Sequence, residues 1–267
     1  MPPRVSAIIG TYNNAATLER AIASILGQTL ADLELIVIDD GSADASPALA
    51  REAAAADARV RPVALPRNIG ISRSLNQALE LARAEVVAIQ DADDHSEPAR
   101  FERQVALLER EPQIAVVGCR MAEVDERGRP LEPRTRFAAG DVGALLLHFN
   151  PIPNGCAAMR RGAVLAAGGY DPRYRYAMEH DLWLRLAERG HRIVALDETL
   201  ATRMMSAGNV AARAERAQLA ETIDARARAL ARRRTLRGAG GLVLPAISYM
   251  TPLPLKRARR RRLRQAP

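Results

Sequence analysis

Val86-Val87-Ala88-Ile89-Gln90-Asp91-Ala92-Asp93-Asp94 is the stretch on which the fold turns, an apolar run that ends in three carboxylates within four residues. Asp and Glu are almost never buried unpaired, so a buried strand ending this way calls for a cation or a strong hydrogen-bond network at its carboxyl end. Hard carboxylate oxygens suit Mg²⁺ or Mn²⁺, and such an ion keeps positions open for phosphate oxygens. Along an extended chain Asp91 and Asp93 point the same way, which lets both address one diphosphate-bound ion while Ala92 points elsewhere. The same residues also read as the acidic start of a helix, because Glu97-Pro98 follows and proline favours the first helical turn.

Outward from this stretch the pattern repeats. Leu35-Ile36-Val37-Ile38 runs into Asp39-Asp40-Gly41-Ser42, and Val5 to Ile9 runs into Gly10-Thr11-Tyr12-Asn13-Asn14, a polar loop with one aromatic ring able to stack on a base. Each loop alone is also a turn of Gly, Asn and Asp chosen for backbone geometry. Together they favour a nucleotide pocket, because ligands of open α/β sheets sit beyond the carboxyl ends of the strands. Strands near Val5–Ile9, Leu33–Ile38, Val60–Leu65 and Val86–Ile89 alternate with helices beginning near Ala16, Asp44 and Ile71. Such alternation predicts an α/β fold, a mainly parallel sheet flanked by helices. Leu18, Ala21, Ile22 and Ile25 share one face of the first helix, a core-facing stripe rather than a membrane signal.

The quoted loops, with Ser24-Ile25-Leu26-Gly27-Gln28-Thr29 between the first two and Asn68-Ile69-Gly70 and Asn76 before the last, stand in the order and spacing of family 2 glycosyltransferases. The resemblance covers Val5 to about Arg203. It implies a GT-A type fold in which a nucleotide diphosphate-sugar, UDP first among the nucleotides, binds the first half and an acceptor hydroxyl enters from the second. Asp40 resembles the carboxylate that reads base or ribose, with Asp39 beside it, and Thr11, Tyr12 and Asn13 resemble the loop under the base. Asp91-Ala92-Asp93 resembles the segment that holds ribose, diphosphate and metal, with Asp91 and Asp93 on a Mg²⁺ or Mn²⁺ ion. Asn68 is expected to support the pocket from behind, or to serve only as a turn former.

In the second half, Gly168-Gly169-Tyr170-Asp171 precedes Met178-Glu179-His180-Asp181-Leu182-Trp183-Leu184-Arg185-Leu186. Sugar transfer needs a carboxylate within hydrogen-bond reach of the acceptor hydroxyl. Aligned on Leu182-Trp183, the family's Glu-Asp falls on Met178 and Glu179, so this chain departs from the pattern. Glu179 is expected to be the base and Asp181 is the alternative; both also read as acids that favour the positive end of a helix. Trp183 and Tyr170 read either as packing or as sugar contacts. At Ala201-Thr202-Arg203-Met204-Met205, Met205 stands where the family often has a metal-binding His, and a thioether is a poor ligand for a hard cation. Arg203 is expected to face the diphosphate.

A chain of 267 residues has room for one large catalytic unit plus an appendage. The expected division is 1–207 as catalytic domain, with 1–97 the nucleotide-sugar half and 98–207 the acceptor half. A helical, basic extension over 208–237 and an apolar and polybasic tail over 238–267 follow. Seven cations in Lys256 to Arg264 account for most of the net charge of +8, leaving about +1 for residues 1–255. An apolar patch beside that run fits an anionic membrane surface, and the run also reads as a solvated end; nucleic acid is disfavoured by scarce aromatics and the lack of a recognised module. Cys119 and Cys156 read as small buried residues, and the four histidines lack a zinc spacing. With no apolar leader, the expected location is cytoplasmic, either free or, if the tail meets lipid, peripheral on the inner face of the cell membrane, with a glycan or lipid-linked acceptor. Two other readings stand beside the enzyme. One is a nucleotide-sugar-binding scaffold, suggested by Met178 and Met205; the other is a nucleotidyltransferase, which would want a glycine-rich phosphate loop that Gly10 to Asn14 does not provide.

Overall fold

The computed structural model describes residues 1–133, 136–205, 211–233 and 240–250. The first half alternates β1 (Val5–Thr11), α1 (Ala15–Leu26), β2 (Leu33–Asp39), α2 (Ser46–Ala56), β3 (Val60–Ala64), α3 (Ile71–Leu81) and β4 (Val86–Asp91). These strands pair in parallel in the order β3-β2-β1-β4. The central strands β1, β2 and β4 are buried almost throughout because helices cover both faces of the sheet, whereas the edge strand β3, Val60-Arg61-Pro62-Val63-Ala64, is only partly covered. Ile8, Ile36, Val87 and Ile89 face one cluster with Leu75 and Leu79 of α3, whereas Ile9, Val37, Val86 and Ala88 face the other with Leu18 and Ile22 of α1. Each such aliphatic side chain contributes about 1.5–3 kcal/mol when fully buried.

The second half changes the character of the sheet. It comprises β5 (Asp94–Ser96), α4 (Arg100–Arg110), β6 (Ile114–Asp125), β7 (Gly140–Asp141), β8 (Ala158–Arg160), α5 (Arg161–Ala166), α6 (Met178–Glu188) and β9 (Arg192–Met205). Strand β8 enters antiparallel between β4 and β6, and β9 lies parallel to β6 but antiparallel to β5 and β7. The parallel core thus continues into a mixed sheet. Strand β9 pairs first with Ile114–Cys119 and, after a register shift, with Arg120–Asp125, which carries its distal end over β5 and sets Arg203 opposite Asp94. The chain continues with α7 (Ala211–Arg233) and α8 (Gly240–Met250). Among the described residues no helix is long and apolar enough to cross a membrane. The polybasic run Lys256 to Arg264, and with it the expected membrane contact, lies outside the described residues.

A polar network beneath the carboxyl end of β4 ties the two halves together. The fully buried Arg100 donates to the carbonyl of Ile89 (2.7 Å), the hydroxyl of Ser96 (2.7 Å), Gln104 (3.2 Å) and the carbonyl of Ala157 (3.4 Å). Gln104 in turn donates to the carbonyls of Val117 and Cys156. A buried acceptor stripped of its donor costs the desolvation of that group. Arg100→Met should therefore lower unfolding stability by about 2 kcal/mol or more, read from the urea midpoint. A variant as stable as the parent would show that the network is dispensable.

Candidate active site

A cavity of about 570 Å³ opens where β1 and β2 end. Thr11, Tyr12, Asp40 and Asn68 line one wall, and Pro172, Tyr174 and Arg175 approach from the second half. Tyr12 is half exposed, with its ring free to receive a flat ligand. Asp40 shapes the wall: its two oxygens accept the backbone N–H groups of Ile69 (2.8 Å) and Gly70 (2.9 Å), closing that loop onto β2. Gly41, at φ 75°, must be glycine, because a Cβ there would lie 2.5 Å from the backbone of Arg67. Beside the cavity, the buried Thr11 Oγ1 and Asp39 Oδ1 have no hydrogen-bond partner among the described residues, although they are register neighbours on β1 and β2. Asp39 Oδ2 accepts the N–H of Ser42. Asn13 does not line the cavity. It sits at φ 56° and its amide oxygen accepts the N–H of Ala43, so it clasps the loop after β2.

The acidic stretch departs from the extended geometry expected of it. Strand β4 stops at Asp91, Ala92 and Asp93 form a turn, and the chain resumes as β5 at Asp94. Ala92 is buried in the apolar cluster that includes α1 and offers its side chain to no ligand, and Asp93 is exposed. The pair brought together is instead Asp91 and Asp94. Their Oδ2 atoms lie 2.9 and 2.8 Å from the point a Cβ on Gly155 would occupy, so only glycine fits between them. Asp94 is buried and its Oδ2 has no hydrogen-bond partner among the described residues. Burial pushes the Asp94 carboxyl well above its ordinary range, and Asp91 adds to the shift. Asp91 is raised by burial as well, against the pull of Arg203. For Arg203 burial opposes the charge, yet Asp94 and Asp91 hold its pKa above the ordinary value.

Among the described residues no three His, Cys, Asp or Glu side chains enclose a metal ion. The donor set nonetheless fits a hard cation as one face of its shell, with an unpaired buried oxygen and two carboxylates pushed toward protonation. Mg²⁺ and Mn²⁺ commonly complete such a shell with water and phosphate oxygens. Met205 ends β9 in the position noted above, and its neighbour Met204 has its sulfur 3.5 Å from Arg20.

Helix α6 presents the remaining acids. Glu179 Oε1 accepts the amide of Asn150 (2.9 Å), and Asn150 is oriented because its own oxygen accepts the N–H of Ile152. Burial raises the Glu179 pKa to about 7, Asp91 adding to the shift and Arg203 opposing it. Asp181 is buried on another face of the helix, where Arg185 donates to it (2.7 Å) while also binding the carbonyls of Ala167 and Gly169. Met178 is buried with its sulfur against the Ser72 hydroxyl. Trp183 and Tyr170 are fully buried, so neither stacks on a sugar: the Trp183 ring N–H donates to the Ile152 carbonyl and the Tyr170 hydroxyl to Asn154. Asp94, Asn150 and Gly155 were given no role by the sequence; only Asp94 lay within a recognised motif.

Asp91, Asp94, Arg203 and Glu179 do not line the cavity, but Gly10 of its wall is the register partner of Asp91, and the parallel sheet continued by a mixed half is a GT-A type architecture. The model of the family described as Glycosyl transferase family 2 matches residues 6–166. The putative glycosyltransferase EpsE of Bacillus subtilis (strain 168) is 37% identical over 204 residues, covering 74% of this chain and 72% of the relative. The amylovoran biosynthesis glycosyltransferase AmsE of Erwinia amylovora is 31% identical over 200 residues, 73% of this chain and 74% of the relative. Among solved structures, the mannosyltransferase PcManGT from Pyrobaculum calidifontis, in complex with GDP-Man and Mn²⁺, superposes with a TM-score of 0.67 at 21% identity, covering 100% of this chain and 81% of that one, a likeness of fold. The chain belongs to glycosyl transferase family 2.

The raised pKa of Glu179 makes a prediction about stability. A carboxyl that binds its proton more tightly when folded contributes stability below its unfolded pKa and loses it as pH rises through the folded value. For Glu179 that window runs from about 4.5 to about 7. The urea midpoint of Glu179→Gln should therefore gain on that of the parent as pH climbs through this window. A constant difference would place Glu179 at an ordinary pKa.

Proposed function

We propose that the protein transfers a sugar from a nucleoside diphosphate-sugar, with UDP as the nucleotide, to an acceptor hydroxyl with inversion at the anomeric carbon. The observation that carries this reading is Glu179, a half-buried carboxylate with a pKa near 7, oriented by Asn150 and electrostatically linked to Asp91 and Arg203. A base works best when its pKa lies near the working pH. The unpaired Asp39 Oδ1 and Thr11 Oγ1 suit a base that offers one ring N–H beside a carbonyl, as uracil does, with Tyr12 stacking on its face.

Glu179 takes the proton of the acceptor hydroxyl as its oxygen bonds to the anomeric carbon. The bond from that carbon to the diphosphate breaks and its electron pair leaves with the nucleoside diphosphate. Attack opposite the leaving group inverts the centre. Arg203 faces the negative charge that builds on the leaving group. Asp91 and Asp94, with the exposed Asp93 on the same turn, would hold a divalent cation, which when bound neutralises the diphosphate. The name of AmsE, from amylovoran biosynthesis, supports a glycan or lipid-linked acceptor in surface polysaccharide assembly.

Glu179→Gln should keep donor affinity and lower kcat by roughly a hundredfold or more, the scale of losing a general base. Asp181→Asn breaks the ion pair with Arg185 and should show mainly as a lower melting temperature. Calorimetric donor binding and release of nucleoside diphosphate separate the two effects. Transfer that survives in Glu179→Gln but stops in a folded Asp181→Asn would move the base to Asp181. Wild-type protein that binds nucleotide-sugars yet releases no nucleotide with any acceptor would make it a binder.

A further inference from the structure

The segment between the Gly168-Gly169 turn and α6 does two jobs at once. Pro172, Tyr174 and Arg175 line the nucleotide cavity, and Ala177 begins α6 two residues before Glu179. The segment has no cap of its own, since Ala177 stands at the N-cap position and carries no side-chain acceptor. The missing acceptor comes from α7. One carboxylate oxygen of Glu221, Oε2, accepts the successive N–H groups of Arg175 (3.0 Å), Tyr176 (2.6 Å) and Ala177 (3.0 Å). Three backbone donors converging on one anion form a nest, here at the positive end of the α6 dipole. Three residues along α7, Asp224 accepts the Tyr174 hydroxyl (2.7 Å), while the Tyr174 carbonyl accepts the hydroxyl of Ser72 on α3.

Helix α7 is itself anchored. Ala225, Ala229 and Leu230 are buried in the core cluster shared with α6, and Arg232 donates to Glu188 in the last turn of α6 (2.6 Å). The two helices are therefore fastened at both ends of α6, and the fastening at the front carries Glu179 with it.

We infer that Glu221 is a positioning residue for the transfer reaction. It fixes the first turn of α6, and so the reach of Glu179, from a helix that lies beyond residues 6–166, the part of the chain that matches the family. The inference rests on the reading of Glu179 as the base, and it makes the C-terminal helix part of the active site's support.

The test compares Glu221→Ala, Glu221→Gln and Glu221→Asp in the full chain. Trp183, the single tryptophan, sits buried in the body of α6, so an unchanged emission spectrum reports that the helix keeps its packing. In that folded state Glu221→Ala is expected to lower kcat about tenfold or more while the donor KM moves less than about threefold, and Glu221→Asp is expected to restore most of the loss. Glu221→Gln, with one neutral acceptor for three donors, is expected to fall between them. It decides the matter should Glu221→Ala fail to fold. Wild-type kcat in folded Glu221→Ala, or in Glu221→Gln when the alanine variant is lost, would overturn the inference. Failure of the base assignment looks different, because it appears as activity in Glu179→Gln.

Discussion

Two carboxylates at the end of a buried strand, Asp91 and Asp94, repel one another and lose their hydration while Asp93 stays exposed beside them, and the rest of the site is arranged around that cost. Asp91 and Asp94 face the same point beside Gly155, both with raised pKa values. Their compensation within the protein is Arg203, brought across by the long β9 strand after its shift of register. Arg100 lies below, its guanidinium spent on carbonyls and a hydroxyl that hold β4, β5 and the 154–157 segment in place. The unpaired Asp94 oxygen, beside a second carboxylate that burial also pushes toward protonation, is what a metal-bound diphosphate would answer.

The two halves of the molecule divide the chemistry. The parallel half offers most of the cavity, with one wall held by Asp40 and Gly41. The mixed half brings an acid whose pKa depends on what surrounds it. Glu179 is near 7 because it is desolvated and close to Asp91, and Arg203 keeps it from rising further. Any bound group that changes the charge at the Asp91 turn therefore changes the basicity of Glu179. The two sites are electrostatically one.

Local pattern made the first half readable. Apolar runs of strand length, separated by helical stripes and closed by Gly, Asn and Asp loops, placed β1 to β4 within a residue or two, and the motif order gave the family. What the sequence concealed was anything that depends on distant pairing. A strand of three residues, Asp94–Ser96, carries too little pattern to be seen, and with it the Ala92-Asp93 turn that brings Asp94 rather than Asp93 to Asp91 was lost. Asn150 reaches Glu179 across 29 positions, and Glu221 reaches Ala177 across 44. A carboxylate bound to backbone N–H groups leaves no signature in the partner's side chains, so Glu221 looks in sequence like any surface acid of an arginine-rich helix. Trp183 and Tyr170, open between packing and recognition in the sequence, are settled by their complete burial.

The central claim is that the Asp91–Asp94 turn is where a divalent cation and the donor diphosphate meet. A manganese anomalous-difference map from crystals grown with Mn²⁺ and a nucleoside diphosphate measures this directly. One strong peak is expected at that turn, in contact with its carboxylates and with phosphate oxygens. A nucleotide bound in the cavity with no peak at the turn, or with the peak beside Asp39 and Asp40 instead, would contradict it.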